Sequence, residues 1–188
     1  MAFLSGLARW GHHPRYNQGI LHFTRGEFEA AAECFEAVLG EVRDRANPDF
    51  SLASVHAAQA RANLGLACFH AGDYPRAEQE FTLALAEKAG FPDLRYLRAR
   101  IYERSGRLDE AVADLERAAW LVEGRPDEVE PALLPAEHGV DLDTLQENIH
   151  YHLALAHYLL GEDRLAWDAW RRCAAVAPND DGRVISHR

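Results

Sequence analysis

The sequence predicts an all-α protein in which about four pairs of antiparallel helices stack into a solenoid. Three observations carry this expectation. One spacing of small residues recurs four times, each copy has a helical rhythm broken once by glycine, and the composition suits a folded globular chain. The stretch LGLACFHAGDYPRAEQEFTLAL, residues 64–85, shows the spacing most clearly. Gly65 lies seven residues before Gly72, Ala77 five after it, Phe81 four further on and Ala84 three beyond that. The first copy supplies Gly19, Gly26, Ala31, Phe35 and Val38. The third supplies Ala99, Gly106, Ala111, Leu115 and Ala118, and the fourth Ala154, Gly161, Ala166, Trp170 and Cys173, closed by Pro178.

Each position has a physical reason. The glycine at the break ends the first helix because it tolerates the left-handed conformation there. The small residue seven positions earlier lets the partner helix approach, and the alanine five positions after the turn does the same from the other side. The aromatic residue or leucine that follows fills the space between the two. A single hairpin cannot bury its apolar face, so copies stack.

In chain order the expected helices are residues 14–25, 27–45, 50–71, 74–88, 92–104, 108–122, 142–160 and 163–176. His12-His13 before Pro14 read as the first helix entrance. Gly26 and Gly72 lie 46 residues apart, against 34 for Gly72 and Gly106. The extra length stays helix-favouring on both sides of Asn47-Pro48, so it lengthens two helices around that turn. Gly106 and Gly161 are 55 apart, and the extra segment is of another kind. It holds Pro126, Pro131, Pro135 and many acids, and reads as a loop, with Asp141 or Asp143 capping the next helix. The expected organisation is a cap at 1–13, a solenoid at 14–178 and a tail at 179–188. The repeats are 14–45, 50–88, 92–122 and 142–178, with an acidic, proline-rich insertion at 123–141.

These residues resemble the tetratricopeptide repeat family, whose pattern runs Leu-Gly, Tyr, turn Gly, Ala, aromatic and closing Pro. Leu64-Gly65 through Ala84-Leu85 match it best. The first copy has Gln18 for Leu, the third Ala99 for Gly, and the family's early Trp is replaced by Arg15, Arg61, Arg95 and His150. The resemblance implies a right-handed superhelical solenoid whose first helices line a concave groove. The groove residues it implies are Tyr16, Ile20 and Phe23, then Leu66, Phe69 and His70, then Tyr96, Arg100 and Arg104, and finally Tyr151, Leu155 and Tyr158. Some members clamp the terminal carboxylate of a chaperone tail. At the positions of that clamp stand Tyr16, Ile20, Asn63, Asp93 and Leu97, of which only Asn63 fits.

Composition narrows the function. With 30 acidic against 20 basic residues the formal charge is −10, which argues against nucleic acid and anionic membrane surfaces as partners. The opening MAFLSGLARWG lacks a basic leader, and no run of about 18 apolar residues is present. A cytoplasmic protein without stable membrane insertion is expected. The Arg- and Ala-rich, Lys-poor composition suggests a bacterial source. Cys34, Cys68 and Cys173 have no metal or redox spacing and read as small buried hydrophobes. His150, His152 and His157 are close in sequence; His150 and His157, seven apart on one helical face, fall at positions facing the partner helix and read as core or half-buried residues. No phosphate loop, zinc motif or nucleophile elbow appears, so no catalytic residue, metal or cofactor is expected.

The expected function is therefore a scaffold or adaptor that binds a partner peptide or helix in the groove, and not an enzyme. The alternative is a regulatory domain sensing a small molecule or peptide signal. Arg100 and Arg104, four apart, are expected to point the same way and receive an acidic group from a partner or from the insertion, with Glu103 neutralising part of their charge. The insertion reads either as a solvated loop or as a lid packing Leu133-Leu134 onto the solenoid. Phe3, Leu4, Leu7 and Trp10 share a helical face suited to a cap, or alternatively to a membrane or partner anchor. At the other end, Trp170 belongs to the core while Trp167, one residue from Ala166, turns towards a missing neighbour. The two tryptophans mark a homodimer interface, with further repeats or Val184-Ile185 as the other candidates for covering that face.

Overall fold

Four turns of one geometry organise the chain. Gly26, Gly72, Gly106 and Gly161 all have φ between 75° and 86°, the left-handed region open to glycine. After each glycine, the next amide bonds back to the carbonyl five residues earlier: Glu27 to His22, Asp73 to Cys68, Arg107 to Tyr102 and Glu162 to His157. This closure satisfies the last carbonyls of one helix while the chain reverses into the next. Asp73 adds a side-chain cap, accepting from the Arg76 amide.

The structure, a computed structural model, describes residues 14–44, 50–124 and 142–176. Among these it contains eight helices and no strand. They are α1 (Pro14–Thr24), α2 (Phe28–Asp44), α3 (Phe50–Ala71), α4 (Tyr74–Glu87), α5 (Pro92–Arg104), α6 (Leu108–Gly124), α7 (Leu142–Leu159) and α8 (Asp163–Val176). The bounds differ from the sequence expectation by at most two residues. The cap at 1–13, the Asn47-Pro48 turn, Leu133-Leu134 and the tail at 179–188 lie outside the described residues.

Each helix packs on its neighbours in the chain, and α5 also touches α7, as a helical solenoid requires. Two apolar clusters form the core. One spans α1 to α5, the other α5 to α8, and Leu97 packs against both.

The small residues act through direct contact. A Cβ on Gly65 would lie 2.7 Å from the Phe81 ring, and one on Gly19 would lie 2.8 Å from Phe35. Where the small residue is alanine, the residue sixteen positions later is Leu115 in the third repeat and Trp170 in the fourth. Trp170 was expected in the core. It is instead half-buried against the second cluster, and the adjacent Ala169 is the buried residue. An indole is too large for the enclosed slot that a phenyl ring fills beside glycine.

Gly65→Ala is expected to lower the unfolding free energy by about 1–3 kcal/mol through overpacking, despite alanine's better helix propensity. Adding Phe81→Leu, which recreates the third repeat's pairing, is expected to recover part of that loss. Urea melts of the two single variants and the double variant check this, and strictly additive costs would contradict the contact.

Candidate binding surface

The positions expected to line a groove lie on α1, α3, α5 and α7, and their surroundings differ sharply. Tyr16, Phe23, Leu66 and Tyr96 are buried. This corrects their expected place on an open groove wall. Each sits where the first helix of one repeat meets the next repeat or its own second helix. The Tyr16 hydroxyl accepts from Asn63 Nδ2 at 2.5 Å, and its ring meets Phe35 edge-on at 5.5 Å. Burial raises the Tyr16 phenol above its ordinary range, so it remains neutral. Tyr96 is covered by the His152 ring, 5.5 Å away.

The accessible positions are His70, Arg104, Tyr151 and Tyr158, with Ile20, Phe69, Arg100 and Leu155 half-buried. His70 stacks on Phe28 at 5.0 Å and stands edge-on to Phe23 and Phe69. Arg100 donates to the Tyr96 hydroxyl at 3.0 Å and lies 3.8 Å from Glu103. Glu103 in turn engages His152 Nδ1 at 3.0 Å, which ties α5 to α7. Arg104 takes another direction, with its guanidinium 4.6 Å from the Tyr74 ring centre on the preceding repeat. The two arginines therefore do not converge as their spacing suggested: each follows a different tyrosine. Arg104 has no carboxylate within 4.0 Å among the described residues. Stacking leaves the edges of its guanidinium fork open to an acidic group.

Tyr74 was not singled out from the sequence, and His152 was named only beside His150 and His157, with no partner assigned to it. Tyr74 belongs to a second helix, so a search confined to first helices passes over it. His152 lies one position after Tyr151, and only the packing of α7 on α5 shows that it turns inward.

The opposite side of α5 anchors it. Asp114 of α6 is buried and accepts two bonds from Arg98, at 2.6 and 2.8 Å, and one from Arg95 at 3.3 Å. Burial alone would lower both arginines. Arg98, held by two bonds and the carboxylate charge, is raised, whereas Arg95 with its single long bond stays lowered. This cluster ties α5 to α6.

A separate cleft of about 370 Å³ opens between α6, α7 and α8. Trp120, Leu153 and Leu165 line it together with Glu116, Glu123 and Asp168. His150 is fully buried and meets Glu123 at 2.6 Å, while His157 meets Glu162 at 2.6 Å. Among the described residues no group of three metal-ligating side chains converges, and no helix is long and apolar enough to cross a membrane. Burial pushes the Cys68 thiol up to about 11, which leaves it unreactive at neutral pH.

Two tetratricopeptide repeat models match the sequence, one over residues 16–92 and the other over 69–119. No curated protein matches it by sequence. Among solved structures, the N-terminal domain of stress-induced protein-1 (STI-1) from C. elegans superposes with a TM-score of 0.54 at 18% identity, over 69% of this chain and 91% of that one. BtubC (BKLC) from P. vanneervenii superposes with a TM-score of 0.67 at 16% identity, over 93% of this chain and 66% of that one. At these identities the likeness shows the shared fold alone.

Asp114→Ala would leave two largely buried guanidiniums without their counterion. It is expected to cost about 3–5 kcal/mol of stability, measurable by thermal and urea denaturation.

Proposed function

Because the chain belongs to the tetratricopeptide repeat family, a fold that serves generally as a protein-interaction scaffold, we propose that it holds a partner peptide along its concave surface through an acidic group placed on Arg104. The observation that carries this reading is the Arg104–Tyr74 stack, a cation oriented by an aromatic face and without a carboxylate partner among the described residues. The neighbouring Arg100 is partly engaged by Glu103 and contributes less. Phe69 and His70 on one side and Tyr151, Leu155 and Tyr158 on the other supply apolar and aromatic contacts that such a peptide would use for register. The family is typically a non-enzymatic scaffold, and binding rather than chemistry is the activity proposed.

The cleft beside Trp120 favours a second reading, a regulatory domain that takes a small molecule. Its volume lies at the lower end of the range for ligand sites, roughly 300–1,000 Å³. Thermal-shift screening of a metabolite panel separates the two. A stabilising compound whose effect is lost in Trp120→Ala would favour the cleft.

For the leading reading, fluorescence anisotropy with peptide libraries of matched length is the direct test. Acidic peptides are expected to bind and neutral or basic ones to bind weakly. Arg104→Glu should weaken the best acidic peptide by about tenfold to a hundredfold, the loss of a charge-assisted hydrogen bond. Equal binding to the wild-type protein and Arg104→Glu would overturn the assignment.

A further inference from the structure

Exposed apolar residues concentrate in the last described repeat. Of the eight large hydrophobics that are exposed among the described residues, Tyr151, Tyr158, Leu159, Leu165 and Trp167 all belong to α7 or α8. The internal register of the chain explains what this face is. Asp163, Trp167 and Arg171 form one stripe along α8, each four residues from the next, and all three are exposed. Counterparts of each in the earlier repeats touch the repeat that follows. At the place of Asp163, Phe28 stacks on His70 and Tyr74 lies under Arg104. At the place of Trp167, Glu78 accepts from Arg107 at 2.9 Å. At the place of Arg171, Glu36 pairs with Arg76 at 2.7 Å and Thr82 accepts from Arg98 at 3.0 Å. On α7, Tyr151 repeats Tyr96, which is 7% exposed beneath His152, yet Tyr151 is 51% exposed. The α8 stripe is thus a repeat junction by construction, with an indole 58% exposed at its centre.

We propose that a second copy of this chain covers the junction, with α8 packing antiparallel on α8 of the other copy around Trp167. The choice of occupant rests on charge. In an antiparallel pair centred on residue 167, position 163 of one helix faces position 171 of the other. Asp163 therefore meets Arg171 of the second copy, and Arg171 meets its Asp163, while the two indoles stack at the crossing point. The stripe is self-complementary, as a twofold interface demands. The chain carries a formal charge of −10, but α8 holds three arginines against two aspartates, so this face lacks the acidic excess of the rest of the chain. Arg171 now rests loosely on Asp168 of its own helix at 3.8 Å, an exposed contact that exchanges at little cost. This inference goes beyond the groove reading and does not depend on it.

The test is the solution mass of the full chain by light scattering and sedimentation equilibrium at micromolar concentration. The wild type is expected at twice the chain mass, and Trp167→Glu at the monomer mass with unchanged helical circular dichroism. Asp163→Arg places like charges at both crossing pairs, and so does Arg171→Asp; each should weaken the dimer by about tenfold. Mixing these two variants restores both attractive pairs, so a heterodimer should form from two weakly associating proteins. A strictly monomeric wild type would overturn the proposal. So would a dimer unaffected by Trp167→Glu, or single charge variants that do not recover on mixing.

Discussion

The closest approach between paired helices governs this molecule. Where glycine stands at positions 19 and 65, the facing phenylalanine ring occupies the space a Cβ would need. That contact sets how near two helices can lie, and hence how a hairpin presents its outer faces to the next. The four glycine turns reverse the chain in one way, so each hairpin inherits the same orientation relative to its own helices. Stacking then follows from the apolar faces left uncovered. Surface positions recur with the repeat, and a residue can be read by comparing it with its counterparts.

Such comparison separates packing from presentation. Tyr16 and Tyr96 occupy the same repeat position and both are covered by a following helix. Tyr151 occupies it too and is exposed. Chemistry at the position is constant while its environment changes, so the difference lies in the neighbour rather than in the residue. The same logic separates Arg98, drawn into a buried cluster on Asp114, from Arg104, six residues on and open to solvent.

Much of the architecture was legible in the sequence because its determinants are local. Gly72 at a turn, Ala77 at a close contact and Phe81 filling a slot follow from helix geometry and side-chain volume. The binding surface was less legible. Tyr16, Phe23, Leu66 and Tyr96 have the hydrophobicity of groove residues, but whether such a side chain faces a groove or a neighbouring helix turns on a rotation of about 100°, one residue. Spacing alone cannot resolve that. The divergence of Arg100 and Arg104 was hidden for another reason: the side chain that redirects Arg104 is Tyr74, thirty residues earlier and on a different helix. Trp170, an indole placed where the earlier repeats hold phenylalanine or leucine, stays only partly enclosed.

Residue-resolved mapping of a bound peptide tests the central claim, that the concave positions are the recognition surface. Amide and arginine side-chain resonances of the full chain would be followed as an acidic peptide is added. The largest shifts are expected at Arg104 and His70, extending to Tyr151. Shifts confined to Trp120, Leu165 and Asp168 around the opposite cleft would contradict that claim.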